Sequence, residues 1–147
     1  MKDIIERLRE KGVTLTPQRL AVVEFLTKNA SHPTVDDIHK AIQRKYPTMS
    51  MATVYSTLEL LKEHGEIQEL SIRKRGKACF DPSPKLHHHL LCQKCDKVVD
   101  IEFECPDDCP IIEEKEIGGC RVEEVQAYLY GLCPDCSKME DNVNDKP

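Results

Sequence analysis

The chain has few aromatic residues: among its 147 residues there is no Trp, only three Phe and only four Tyr. Aromatic stacking therefore cannot dominate a core. No apolar run approaches the ~18 residues that a bilayer span requires, which excludes a helical membrane segment. The opening MKDIIERLRE has charges throughout and no apolar stretch, so no secretory signal is expected. A reducing, cytoplasmic setting follows as the expectation, and a disulfide scaffold is disfavoured there. What is present is 39% hydrophobic and 32% charged, the balance of a soluble globular protein with room for one ordinary domain or two small ones.

The net charge of −5 conceals an asymmetry. Residues 1–80 carry 14 Lys/Arg against 10 Asp/Glu, a net of +4, whereas residues 81–147 carry 7 against 16, a net of −9. If either half meets a polyanion, it is the first. Cysteine divides the same way: seven of the eight thiols lie after residue 90 and only Cys79 before it. Two pairs have two-residue spacing, Cys92-Gln-Lys-Cys95 and Cys133-Pro-Asp-Cys136. Each pair can bring both sulfurs to one ion, and two such knuckles make a closed tetrahedral zinc site. The 37 intervening residues exceed the roughly 15–20 of a zinc ribbon, so the site would clamp a small subdomain. A redox dithiol is the alternative, but it would need only one of the pairs.

The first half is patterned for helices. Ile4, Ile5 and Leu8 share helical spacing over residues 3–11. Thr16-Pro17 predicts a cap and first turn for a helix over 17–28 with Leu20, Val23 and Leu26 inward. Thr34 caps a helix through Tyr46 with Val35, Ile38 and Ile42 on its apolar face. Ser50 opens another to about His64, lined by Val54, Leu58 and Leu61, with Gly65 as its stop. Period-two alternation over 67–72, a basic turn at Arg73-Lys74-Arg75-Gly76-Lys77 and a returning strand at 78–81 predict a hairpin. Helices followed by a basic hairpin make the plan of a winged helix-turn-helix, in which the last helix enters the major groove and the wing meets phosphate. Thr53, Tyr55, Ser56 and Thr57 on that helix, with Arg73, Lys74, Arg75 and Lys77 on the wing, are the candidate DNA contacts. A helical packing module with a charged hairpin is the competing reading.

His87-His88-His89 stands just before the first cysteine knuckle. On a strand, His87 and His89 share one face. Asp81 lies across a Pro-Ser-Pro turn, and Asp100 sits in a second strand candidate over 97–101. Two imidazoles and two carboxylates suit iron, manganese or zinc rather than calcium. Since the cysteines already serve structural zinc, a second and more open site points to regulation.

These residues carry a resemblance. Leu15-Thr16-Pro17-Gln18-Arg19, His32-Pro33-Thr34-Val35-Asp36-Asp37-Ile38, Ala52-Thr53-Val54-Tyr55, His87-x-His89-Leu90-x-Cys92-x-x-Cys95, Tyr128-Leu129-Tyr130-Gly131 and the final cysteine pair are similar to the ferric uptake regulator family of dimeric, metal-responsive bacterial repressors, over about residues 5–136. The resemblance implies an α+β chain: a winged-helix DNA-binding domain at 1–80, a hinge at 81–84 and a small α/β dimerisation domain with the four-cysteine zinc at 85–138. The acidic end, 139–147, is expected to be disordered.

Within the family, the peroxide-sensing branch is resembled most. Its five sensing ligands match His32, Asp81, His87, His89 and Asp100 in residue type. Two positions that line an additional site in iron sensors are here Leu86 and Val125, which cannot bind metal. The implied cofactors are one structural zinc and one regulatory Fe²⁺ or Mn²⁺ per subunit. The implied partners are an operator duplex and a second subunit, with peroxide as the signal and no membrane. Five ligands leave one position open on Fe²⁺, and in that branch the histidines matching His32 and His87 become oxidised. No enzyme is expected, since no nucleophile or acid–base pair stands apart from the metal-type residues.

Alternatives remain. Cys79 shares a strand face with Asp81, so a zinc-sensing repressor using its thiolate, or an iron-sensing one, stays open, as does a metal-storage or redox enzyme. Cys105, Cys109 and Cys120 fit no part of the pattern and are expected to be buried small residues or an extra thiol switch. Glu59 occupies a recognition-helix position where a basic residue is expected.

Overall fold

The computed structural model describes residues 2–29, 31–73, 75–82, 87–102, 116–123 and 125–144. The chain divides into two compact units, Met1–Leu86 and His87–Pro147.

The first unit contains α1 (Lys2–Glu10), α2 (Pro17–Lys28), α3 (Val35–Gln43) and α4 (Met51–Glu63), then β1 (Gln68–Leu70) and β2 (Cys79–Asp81). Each of the later helices starts at a side-chain cap. Thr16 accepts from the Arg19 N–H at 3.3 Å, and Ser50 accepts from the Thr53 N–H at 3.1 Å. Thr34 and Asp37 form a reciprocal capping box, which satisfies two otherwise orphaned amide donors. Gly65, at φ 71°, ends α4 in the left-handed conformation that glycine adopts without a Cβ clash. Leu8, Val22, Val23, Leu26, Ile38, Val54, Leu58 and Leu61 form the core, with Phe80 of β2 packed into it. The face expected for α2 is rotated: Ala21 and Val22 are buried, whereas Leu20 is half-buried.

β1 and β2 pair antiparallel, with Gln68 opposite Asp81 and Leu70 opposite Cys79. Asp81 is therefore the last residue of a strand, as the pattern over 78–81 predicts, 4% exposed, and not the first of the hinge that the resemblance implies; residues 83 and 84 lie outside the described residues. β2 also bonds to the start of α3, through a Thr34–Cys79 bridge and a Phe80 N–H donating to the Pro33 carbonyl at 3.0 Å.

In the second unit, β3 (His88–Cys92) lies between β4 (Val98–Ile101), antiparallel to it, and β7 (Tyr128–Gly131), parallel to it. β5 (Glu116–Ile117) and β6 (Cys120–Arg121) form a hairpin whose two turn residues, Gly118 and Gly119, both have positive φ, as a two-residue hairpin turn demands. The last helix, α5, runs Pro134–Asn144, so the expected disorder from 139 is corrected as far as Asn144. Proline at its first position has no amide donor to leave unsatisfied, and Asp135 in the first turn complements the helix dipole. Residues 145–147 lie outside the described residues.

One buried ion cluster ties α1 to the base of the hairpin. Glu66, with a side chain 2% exposed, accepts from Arg7 at 2.6 Å and Lys11 at 3.2 Å, and Lys11 also donates to the His64 carbonyl at 2.7 Å. Burial pushes the Glu66 carboxyl up, but Arg7 and Lys11 together hold it below its ordinary 4.5. A carboxyl lowered in the folded state stabilises the fold above its unfolded pKa, and that contribution fades as pH falls through the folded value. Both cations are partly exposed, so Glu66→Gln is expected to cost about 1–2 kcal/mol at pH 7. Denaturation of the two proteins in urea should show this gap at pH 7 and its closure well below pH 4.5; coincident curves at pH 7 would refute the anchor.

Candidate metal centres

The four paired cysteines come together. One sulfur each from Cys92, Cys95, Cys133 and Cys136 lie within 4.8 Å of one another, and Cys95 Sγ is 3.7 Å from Cys133 Sγ. The first knuckle is a closed turn: the Cys92 N–H donates to the Lys97 carbonyl and the Asp96 N–H to the Cys92 carbonyl, both at 2.9 Å. Asp96 adopts φ 59° to close it. The second knuckle is formed by the start of α5, where the Ser137 N–H donates to the Cys133 carbonyl. A Gln93 N–H to Gly131 carbonyl bond at 2.8 Å brings the two segments side by side. Cys92, Cys133 and Cys136 are buried, with Val99 and Leu132 packed on them, while Cys95 is exposed.

The thiols titrate apart. N–H groups of Cys133 and Cys95 directed at the Cys92 sulfur lower it to about 6. Hydrogen bonding to the Cys133 sulfur, with burial, pushes Cys136 up to about 12. Four sulfurs this close cannot all be thiolates without a cation among them, and a soft, tetrahedral, all-thiolate donor set suits zinc.

The nitrogen and oxygen donors fall into two groups, one in each unit. In the first, His32 Nε2 is 4.0 Å from Asp81 Oδ2, and both side chains are nearly fully buried. His32 has φ 51°, a left-handed conformation uncommon for a side chain with a Cβ and concentrated at functional sites. The β2 bonds to Pro33 and Thr34 bring it beside Asp81. In the second unit, Asp100 stands opposite His89 in the β3–β4 register. Its Oδ1 lies 3.2 Å from His87 Nε2 and 3.5 Å from His89 Nε2. The two rings are 4.4 Å apart, as side chains two positions apart should be when they project from one strand face. His88 alternates away and has no place in this group. His39 and His64 are instead bonded to the Met49 and Leu60 carbonyls.

Cys79 is fully buried, and its sulfur contacts the Leu70 carbonyl at 3.8 Å; burial raises its thiol despite the nearby Arg73 guanidinium. Cys120 is exposed, which corrects the expectation of burial: it lies in a two-residue strand beside the Gly118–Gly119 turn, and both strands of that hairpin face solvent. Cys105, Cys109 and Leu86 lie outside the described residues. Val125 is 46% exposed.

The candidate DNA contacts separate by exposure. Tyr55, at 51%, and Ser56 are exposed on α4, and Thr53 is half-buried, its hydroxyl 2.8 Å from that of the Ser50 cap. Thr57 does not qualify. It is 1% exposed and its hydroxyl donates to the Thr53 carbonyl at 2.7 Å, because it faces the core between Val54 and Leu61. On the wing, Arg75 is exposed and Arg73 half-buried, Lys77 is exposed but paired with Asp36, and Lys74 lies outside the described residues. The Arg7–Glu66 pair had no signal in the sequence, since its partners are 59 residues apart.

Residues 10–130 match the ferric uptake regulator family profile. The peroxide operon regulator of Bacillus subtilis is 37% identical over 142 residues, 97% of each chain. The peroxide-responsive repressor PerR of Staphylococcus saprophyticus is 35% identical over 136 residues, 92% of this chain and 90% of its own. Among solved structures, the Campylobacter jejuni peroxide stress regulator matches with a TM-score of 0.63 and 32% identity, covering 90% of this chain and 98% of that one. With its winged hairpin, its four-cysteine cluster and full-length similarity to these regulators, the chain belongs to the ferric uptake regulator family.

Proposed function

We propose that this protein is a metal-dependent, peroxide-responsive transcriptional repressor, acting as a homodimer on palindromic operator DNA in the cytoplasm. The observation that carries this reading is the imidazole–carboxylate set, His32 with Asp81 and His87 with His89 and Asp100, built separately from a four-cysteine cluster. The likeness to peroxide-responsive regulators over nearly the whole chain supports it. The first unit serves as the DNA-binding domain and the second as the dimerisation domain.

Cys92, Cys95, Cys133 and Cys136 hold one structural zinc per subunit. His32, Asp81, His87, His89 and Asp100 hold one regulatory Fe²⁺ or Mn²⁺. Ligands drawn from both units make metal occupancy a conformational signal: only the arrangement that presents all five donors binds the ion tightly. A two-fold protein must match the half-site spacing of its operator, so fixing that arrangement favours DNA binding. Moving the population from ~1:99 to ~99:1 takes about 5.5 kcal/mol of differential affinity, which five ligands can supply. Fe²⁺ held there would supply the redox activation of peroxide that Mn²⁺ in the same ligands would supply far more slowly. In net terms one oxygen of H2O2 would be inserted at a ring C–H of His32 or His87, the ring giving up two electrons and the other oxygen leaving as water; an oxidised ring no longer donates as imidazole does, so the clamp would be lost.

Two experiments test this. Mass spectrometry of peptides from Fe²⁺-loaded protein treated with hydrogen peroxide should show one added oxygen on those containing His32 or His87, and none after Mn²⁺ loading. Oxidation confined to cysteines, or inertness with tight zinc in the regulatory site, would favour a zinc sensor instead. For the structural centre, Cys95→Ser should release the bound zinc and lower the melting temperature, whereas Cys120→Ser, at a residue that is also exposed, should do neither. Equal zinc content and melting temperature in the two variants would remove Cys95 from the site.

A further inference from the structure

The solvent-facing stripe of α4 consists of Ala52, Tyr55, Ser56, Glu59 and Glu63, spaced three and four residues apart as one helix face requires. Its charge has the wrong sign for phosphate. We infer that Glu59 reads sequence: its carboxylate accepts a hydrogen bond from the N4 amino group of a cytosine in the major groove, so that each half-site has one position at which C·G is selected. This rests on the DNA-binding reading above.

Glu59 lies one turn beyond Tyr55 on this face, and its side chain is 53% exposed. The carboxylate is held in place: Lys62 Nζ donates to Oε1 at 2.9 Å and to Glu69 Oε2 on β1 at 2.7 Å. The ammonium is thus fixed between helix and hairpin, and it offsets the charge of Glu59 close to a phosphate wall. Oε2 carries no hydrogen bond among the described residues. Glu63, one turn further on, is the last residue of α4, and no ion pair holds it among the described residues.

An ionised carboxylate can only accept. In the major groove, guanine and thymine present acceptors and repel it; adenine offers its N6 donor beside the N7 acceptor; cytosine offers N4 without that neighbour. The carboxylate therefore favours cytosine, by roughly tenfold for a single contact of this kind.

The test is selection from a random duplex library by the full-length chain loaded with Mn²⁺, followed by affinity measurements on every single-base variant of the selected site. Wild type should favour C·G about tenfold at one position in each half-site. Glu59→Gln, whose amide both donates and accepts, should lose that preference with other positions and the salt dependence unchanged. Glu63→Gln should retain it. A Glu59→Gln profile identical to wild type, or a uniform gain in affinity for all sequences, overturns the inference while leaving operator binding intact. If wild type enriches no duplex at all, the DNA-binding reading fails and the inference with it.

Discussion

The backbone contact between β2 and the segment preceding α3 is the constraint from which the pairing of His32 with Asp81 follows. The Phe80 N–H donates to the Pro33 carbonyl and Thr34 bridges Cys79, so a hairpin ending in Asp81 closes against the residue that follows His32. The same few residues also start α3 through the Thr34–Asp37 capping box. A helix start, a sheet edge and a pair of potential ligands are thereby one piece of structure. His32 keeps a backbone conformation that costs on the order of 1 kcal/mol or more, and the bonds at Pro33 and Thr34 anchor the chain immediately after it.

The second unit uses one strand for two kinds of chemistry. β3 carries His88 through Cys92, and His87, just before it, joins His89 on the face that meets Asp100. Three residues beyond His89, Cys92 enters the sulfur cluster. The parallel neighbour β7 leads directly to Cys133, and the Gln93–Gly131 bond holds the two strand ends together. Zinc at the cysteines would therefore stiffen the strand that presents the histidines. Hard and soft donors stay apart because the strand carries them at opposite ends.

On the DNA side, exposure sorts the side chains. Thr53, Tyr55, Ser56 and Thr57 lie within five consecutive positions and all carry a hydroxyl, yet Tyr55 is half exposed and Thr57 sealed. The helix has 100° between successive residues, so a run of polar residues cannot all face one way. On the wing, Lys77 is exposed yet paired with Asp36.

The sequence by itself determined the features written in local spacing: the caps Thr16, Thr34 and Ser50, the stop at Gly65, the two cysteine knuckles, the shared face of His87 and His89, and the strand bearing Asp100. Each depends on residues a few positions apart, whose relation is set by helix or strand geometry alone. Packing decided the rest. It buried Val22 in place of Leu20 and turned Thr57 inward; it set β2 against the residues that precede α3; it paired Arg7 with Glu66 across 59 residues. Which polar group at the margin of a helix face is covered, and which distant charges meet, depends on how elements stack, and no short-range pattern carries that information.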